Sequence, residues 1–148
     1  SKEAEYRSLV KLRDSINKQK DSLKQIANWP DEIKGQWNSK IVCTASDCND
    51  YVIGDVRNDI WEFAQDSTKL YVKVLNKNKL VRIYHANYAN NQILLHYSTD
   101  STAQKVVEMN VRLQEFQPNR IRGTRSVSID RQCTAKFNVE LVKSSNLR

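Results

Sequence analysis

From Trp37 to Val142 apolar and polar residues alternate with a period of two, and no segment of helical length breaks the pattern. In the first such stretch Trp37, Ser39, Ile41 and Cys43 fall on one side and Asn38 and Lys40 on the other. A long polar loop over residues 45–58 follows, then a strand carrying Trp61 and Phe63, and then strands over 70–75, 80–88, 93–97, 105–114, 121–129 and 133–142. The later connections are short and rich in turn formers: Asp66, Ser67 and Thr68; Asn76, Lys77 and Asn78; Asn90 and Asn91; Gln117, Pro118 and Asn119; Asp130, Arg131 and Gln132. A parallel pair needs a crossover of a dozen or more residues, which these turns do not supply. Consecutive strands are therefore expected to pair antiparallel. An open meander would leave two unpaired edges, and closure removes both. The expectation is a mainly β chain: an eight-stranded antiparallel up-and-down barrel.

Ahead of the strands, residues 3–28 read as one amphipathic helix. Leu9, Leu12, Ile16, Gln19, Leu23 and Ile26 repeat at three and four residues, a heptad seam with Gln19 at one of its positions. Pro30 ends it, because the residue before a proline avoids the helical region. The division is thus a helix over 1–30 and a barrel over 31–148. The seam is short, so it needs a surface to rest on. Either its own barrel or a partner helix supplies that surface, the partner being a second copy or a protein of the cell envelope.

No stretch approaches the roughly 18–20 apolar residues that span a bilayer, and Ser1 to Glu5 contain no apolar leader. Because the chain does not open with Met, an export signal or anchor is expected to precede it, and membrane contact is expected only through that anchor. The formal net charge is +7. Much of the excess lies late: from Arg112 onward eight bases face three acids. Arg120, Arg122 and Arg131 form a candidate basic patch, but acids elsewhere dilute the field, so nucleic acid is not the expected partner.

Three cysteines, Cys43, Cys48 and Cys133, exclude a fully paired disulfide framework. If the barrel closes, the last strand lies antiparallel to the first and Cys133 comes near both Cys43 and Cys48. A bridge from Cys133 to either would staple the seam, and a local Cys43–Cys48 bridge remains open. An oxidised chain implies an extracytoplasmic location: periplasm, cell surface or secreted. No metal site is expected, since His85 and His96 lie within strands and Asp47, Asp50, Asp55 and Asp59 lack EF-hand spacing.

Ile33, Gly35 and Trp37, an apolar residue followed by Gly-x-Trp at the opening of the first strand, resemble the start of the calycin barrels: lipocalins, fatty-acid-binding proteins and avidins. The resemblance spans most of residues 33–143. It implies that Trp37 plugs one end of a barrel and that Gly35 lets the chain pass close beneath it. It also implies a late basic residue against that Trp, for which Lys143 and Arg125 are candidates. The lipocalin Thr-Asp-Tyr turn is not matched, since Ser101 follows Asp100.

Eight strands enclose a space that is either filled by side chains or holds one small ligand. The inward set is expected to include Trp37, Ile41, Trp61, Phe63, Met109, Val111, Val127, Phe137 and Val139, with Arg125 as an inward charge needing a partner or an anionic ligand. The chain contains three Gly and neither a phosphate loop nor a nucleophile elbow. The expected function is therefore non-enzymatic, without cofactor: a lipocalin-like barrel of the bacterial envelope binding a small apolar or amphipathic ligand. The alternative is a filled barrel that serves as a protein-interaction module through its helix and loops; a lesser one is binding of nucleic acid or an anionic polymer through the basic patch.

Overall fold

The computed structural model describes residues 28–100 and 102–144, and Glu5 apart from them. The expected N-terminal helix, with its seam from Leu9 to Ile26, lies outside the described residues. Eight strands follow one another: β1 (Gly35–Ser46), β2 (Val56–Gln65), β3 (Leu70–Asn76), β4 (Lys79–Ala89), β5 (Gln92–Ser98), β6 (Val107–Gln117), β7 (Arg120–Ile129) and β8 (Cys133–Lys143). Each pairs antiparallel with the next, and β8 returns to pair with β1, closing the barrel.

Turn chemistry sets this meander. Lys77 and Asn78, Asn90 and Asn91, and Asp130 and Arg131 all have positive φ, between 52° and 66°. Two consecutive left-handed residues give a hairpin the twist that matches its right-twisted strands. Side chains then alternate as the sequence pattern requires: on β8, Ala135, Phe137, Val139 and Leu141 are buried, while Thr134, Lys136 and Asn138 are exposed.

The first strand and its loop differ from expectation. β1 runs to Ser46, and β2 begins at Val56, so the loop covers only residues 47–55. A register shift between Cys43 and Ala45 lets the chain go on pairing with β8: Ala45 faces Lys136 and Ser46 faces Ala135. Asp47 extends the contact, its N–H donating to the Thr134 carbonyl at 3.1 Å and its Oδ1 accepting from the Thr134 N–H at 2.7 Å.

One end, the foot, is sealed. The Trp29 indole is buried; its Nε1 donates to the Ala64 carbonyl at 2.7 Å, and its ring meets Phe63 edge-on at 5.1 Å and stacks on Tyr88 at 6.0 Å. Above it Trp37 Nε1 donates to the Ile33 carbonyl at 2.8 Å. The Lys143 ammonium lies 4.8 Å from the Trp37 ring and donates to the Lys34 carbonyl at 2.6 Å. Lys143, not Arg125, is thus the late basic residue against Trp37. Burial holds its pKa below the ordinary lysine value. Gly35, with φ of +106°, makes the turn that brings residues 32–34 under this ammonium.

Gly123 answers a different need. A Cβ there would stand 1.9 Å from the Arg112 carbonyl oxygen, at the bulge in β6. Gly123→Ala should therefore lower stability by about 2 kcal/mol or more, as overpacking against rigid backbone does. Gly54, with φ of +96° but open space around it, should lose only about 1 kcal/mol on replacement by Ala. Urea midpoints of the two variants check the order.

Candidate functional site

Strand alternation places every expected inward residue inside the barrel: Trp37, Ile41, Trp61, Phe63, Met109, Val111, Val127, Phe137 and Val139 are all buried. The interior is filled along its length, with Trp37, Phe63 and Ile121 toward the foot and Trp61, Tyr84, Leu95 and Val74 further up among the largest fully buried side chains. Trp61 packs on Tyr84 at 5.4 Å, and Tyr84 on Tyr97 at 6.4 Å.

Arg125 shares the inward face of β7 with Ile121 and Val127, and only 4% of it is exposed. Its neighbours in register are Val111 and Phe137, neither of which offers a charge. The guanidinium lies over the Phe137 ring, 4.2 Å from the centroid. Its Nε is buried without a hydrogen-bond partner. Among the described residues no carboxylate pairs with it. A cation over an aromatic face recovers about 0.5–2 kcal/mol, whereas a buried charge without an ionic partner costs several.

Two other donors inside the barrel are poorly served. Trp61 Nε1 is buried with no partner, and the buried Tyr84 hydroxyl reaches only the Met109 sulfur, at 3.6 Å. A thioether is a weak acceptor. By contrast Trp29 and Trp37 both donate to backbone carbonyls at ordinary distances.

The end opposite the foot is the mouth, and the 47–55 loop lies across it. Tyr51 meets Phe137 edge-on at 5.2 Å, on the ring that carries Arg125, and the Arg57 guanidinium sits 5.3 Å from the Tyr51 ring. Cys48 is disulfide-bonded to Cys133 at the start of β8, and Asp50 pairs with Lys105 at 2.8 Å. Asp50 raises the Lys105 pKa, but both groups are half exposed, so the pair adds little stability. Cys43 is the free thiol; it is buried, and its Sγ approaches the Ala45 carbonyl at 3.6 Å. Asp47 lies beside Cys48 and Cys133, but both sulfurs are bonded to each other and Asp47 Oδ1 already accepts from Thr134, so this cluster offers no thiolate to a metal.

The basic patch needs correction. Arg120 and Arg122 share an outward face and flank Glu140, at 4.0 and 3.0 Å. Arg131 stands in the turn at the other end of β7 and does not join them. His85 and His96 are register partners on the outside of the barrel, where His96 Nδ1 meets Asn110 Oδ1 at 2.8 Å. They line a shallow groove of about 700 Å³ across the outer faces of β4 to β8. Sequence reasoning missed Tyr51, an aromatic in a polar loop, and Trp29, which is out of phase with the seam before it. A lone large aromatic beside Pro30 was the available sign of a buried anchor.

These features define a class, the closed eight-stranded antiparallel barrel with one plugged end. Two solved structures resemble it. One is the monomer form of the PknI sensor domain of M. tuberculosis, with TM-score 0.56 and 14% identity over 81% of this chain and 92% of that one. The other is EF1p2_mFAP2b bound to DFHBI, with TM-score 0.54 and 9% identity over 76% of this chain and 94% of that one. At these identities the likeness is one of fold alone. No family model and no curated protein matches the chain.

Replacing Arg125 by Met keeps a long side chain over Phe137 and removes the unpaired charge. The ligand-free variant is expected to be more stable than the native chain by about 1–3 kcal/mol, read as a rise in melting temperature. Replacing both Cys48 and Cys133 by Ser should cost about 2–4 kcal/mol, measured by denaturant titration without reductant.

Proposed function

We propose that the chain is a non-enzymatic, lipocalin-like binding barrel that works outside the cytoplasm and takes one small amphipathic molecule at its mouth end. The observation that carries this reading is Arg125: a cation 4% exposed, inside an apolar barrel, with no ionic partner among the described residues. An isolated buried charge persists where function repays it. Tyr51, packed on the Phe137 ring that carries Arg125, covers the mouth end next to this charge. The Cys48–Cys133 disulfide supports an oxidising compartment, and so the envelope or a secreted state. Binding is favoured over catalysis because the one free thiol is buried and both histidines face outward on the far side of the barrel wall. The two fold neighbours fit this reading by analogy: one is a sensor domain, the other is bound to DFHBI.

A second reading has its own support. The many fully buried aromatic and aliphatic side chains suit a barrel filled by its own residues, working as an interaction module through its outer surface. Native mass spectrometry of the non-reduced protein separates the two. Extra mass on the folded chain that is lost on denaturation is the expected result. A bare folded mass, unchanged after incubation with cell-envelope extract, would leave the filled barrel.

A further inference from the structure

The barrel wall is incomplete on one side. β4 runs from Lys79 to Ala89, but its pairing with β5 reaches only to His85, opposite His96. Continuing that register sets Ser98, where β5 ends, level with Ile83, so residues 79–82 stand beyond it. Alternate residues of a paired strand turn their N–H and C=O groups away from the partner. On β4 ahead of His85 those groups meet no other strand among the described residues. Inside, side chains close the split: Tyr84 meets Tyr97 at 6.4 Å, and the Arg82 guanidinium lies 5.8 Å from the Tyr97 ring. The split is therefore an open strand edge and not a passage to the interior.

Two features of this edge select what pairs with it. The first is apolar surface. Leu80, Val81 and Ile83 are 55%, 46% and 39% exposed. Ile60, Leu75 and Leu80 are successive register partners on the outer face, a row that crosses β2 and β3 and stops at the edge. The second is charge. From Ser67 to Thr99 the chain has no Asp or Glu, and Lys77, Lys79 and Arg82 lie on the edge and its turn. Two carboxylates in neighbouring segments are engaged: Asp59 Oδ1 accepts from Asn76 Nδ2 at 2.7 Å, and Asp100 Oδ1 from the Thr102 N–H at 3.0 Å. Register sets Leu80 and Ile83 opposite Leu75 and Lys73 on the outer face, and Lys79 and Arg82 opposite Asn76 and Val74 on the other. Lysines and a bulge keep an edge from pairing with its own kind, and β4 has both, the bulge falling at Val81. A second copy would set cations against cations. A strand bearing carboxylates meets no such barrier.

We propose that the β4 edge over residues 79–83 receives an extended segment of a partner protein in which apolar and acidic residues alternate. The segment takes the place that a longer β5 would fill. Its backbone bonds to β4, its apolar side chains extend the Ile60–Leu75–Leu80 row, and its carboxylates meet Lys79 and Arg82 on the other face. This docking is independent of whether the interior holds a ligand.

The experiment titrates the full oxidised chain with a capped seven-residue peptide in which Val and Glu alternate, with its Val–Lys counterpart, and with the Val–Glu peptide N-methylated throughout its backbone. Calorimetry gives the affinities, and backbone amide resonances give the place. The Val–Glu peptide is expected to bind at least about tenfold more tightly than the Val–Lys peptide, as opposed charges across one strand ladder discriminate. It shifts the amide resonances of residues 79–83, and N-methylation abolishes its binding. Lys77 and Lys79 are exposed, and the double variant Lys77→Glu/Lys79→Glu, its folding checked by its melting curve, should prefer the Val–Lys peptide. Equal binding of the two peptides, or no binding of the Val–Glu peptide at millimolar concentration, would overturn the proposal. So would shifts confined to other residues, or a methylated peptide that binds as well. Sedimentation of the chain alone tests the second copy: a dimer that protects the amides of 79–83 from exchange would give the edge to that copy. Phosphatidylglycerol vesicles that engage these residues where the peptide does not would give it to a membrane, and either result overturns the peptide partner. None of these outcomes bears on the interior, which the mass measurement judges separately.

Discussion

Everything in this molecule depends on β8 finding β1. Seven of the eight strand pairings join neighbours in sequence, each directed by its own connection. The eighth joins Trp37 to Lys143 and Ser46 to Ala135 across most of the chain. Without it the sheet has two edges and no inside. With it, the residues that alternate along each strand become a single core, and a side chain such as Arg125 is buried by structure remote from it in sequence. The bulge that shifts the β1 register past Cys43 lengthens this seam by two pairs and carries the chain to Cys133.

The two ends of the barrel use aromatic residues differently. At the foot Trp29 and Trp37 each give their indole proton to a backbone carbonyl, and Lys143 gives its protons to carbonyls of residues 32 and 34. Both indoles and the ammonium have backbone acceptors there, which suits a permanent plug. In the middle of the barrel Trp61 has none, Tyr84 has a sulfur, and Arg125 has a ring face. Tryptophan is thus satisfied at the foot and without a partner further up the barrel. Packing forces alone do not produce that contrast, because an apolar residue in place of Arg125 would fill the space at lower cost.

Much of the barrel was legible because period-two alternation is a local property, and residues from Trp37 to Leu141 hold to it with few breaks. The strand count and the inward Arg125 follow from it, and closure follows from the two edges that an open meander would leave. What was not legible depends on chain continuing where pairing makes it worthwhile. Nothing in Ala45 or Ser46 announces that β1 outlives its pairing with β2, so the loop read too long and Cys43 stayed a candidate for the bridge that Cys48 makes. Tyr51 and Trp29 were hidden for a related reason: each is buried by coming back over a barrel end, a contact without any period. The late basic residue was narrowed to Lys143 or Arg125, and only register decides, because it places Lys143 opposite Trp37.

The position of the disulfide alters what closure asks of the chain. Cys48 lies just past the end of β1 and Cys133 opens β8, so the bond joins two residues 85 apart at the head of the seam. In the oxidised but unfolded molecule, β2 through β7 then lie on a covalent ring, and β1 and β8 are two tails leaving it from one point. The most distant pairing in the sequence becomes, in effect, a hairpin whose turn is a sulfur–sulfur bond. Loop-closure entropy for that step has already been lost in the unfolded state, so the contact that would otherwise be slowest to form is brought within the range of local zippering.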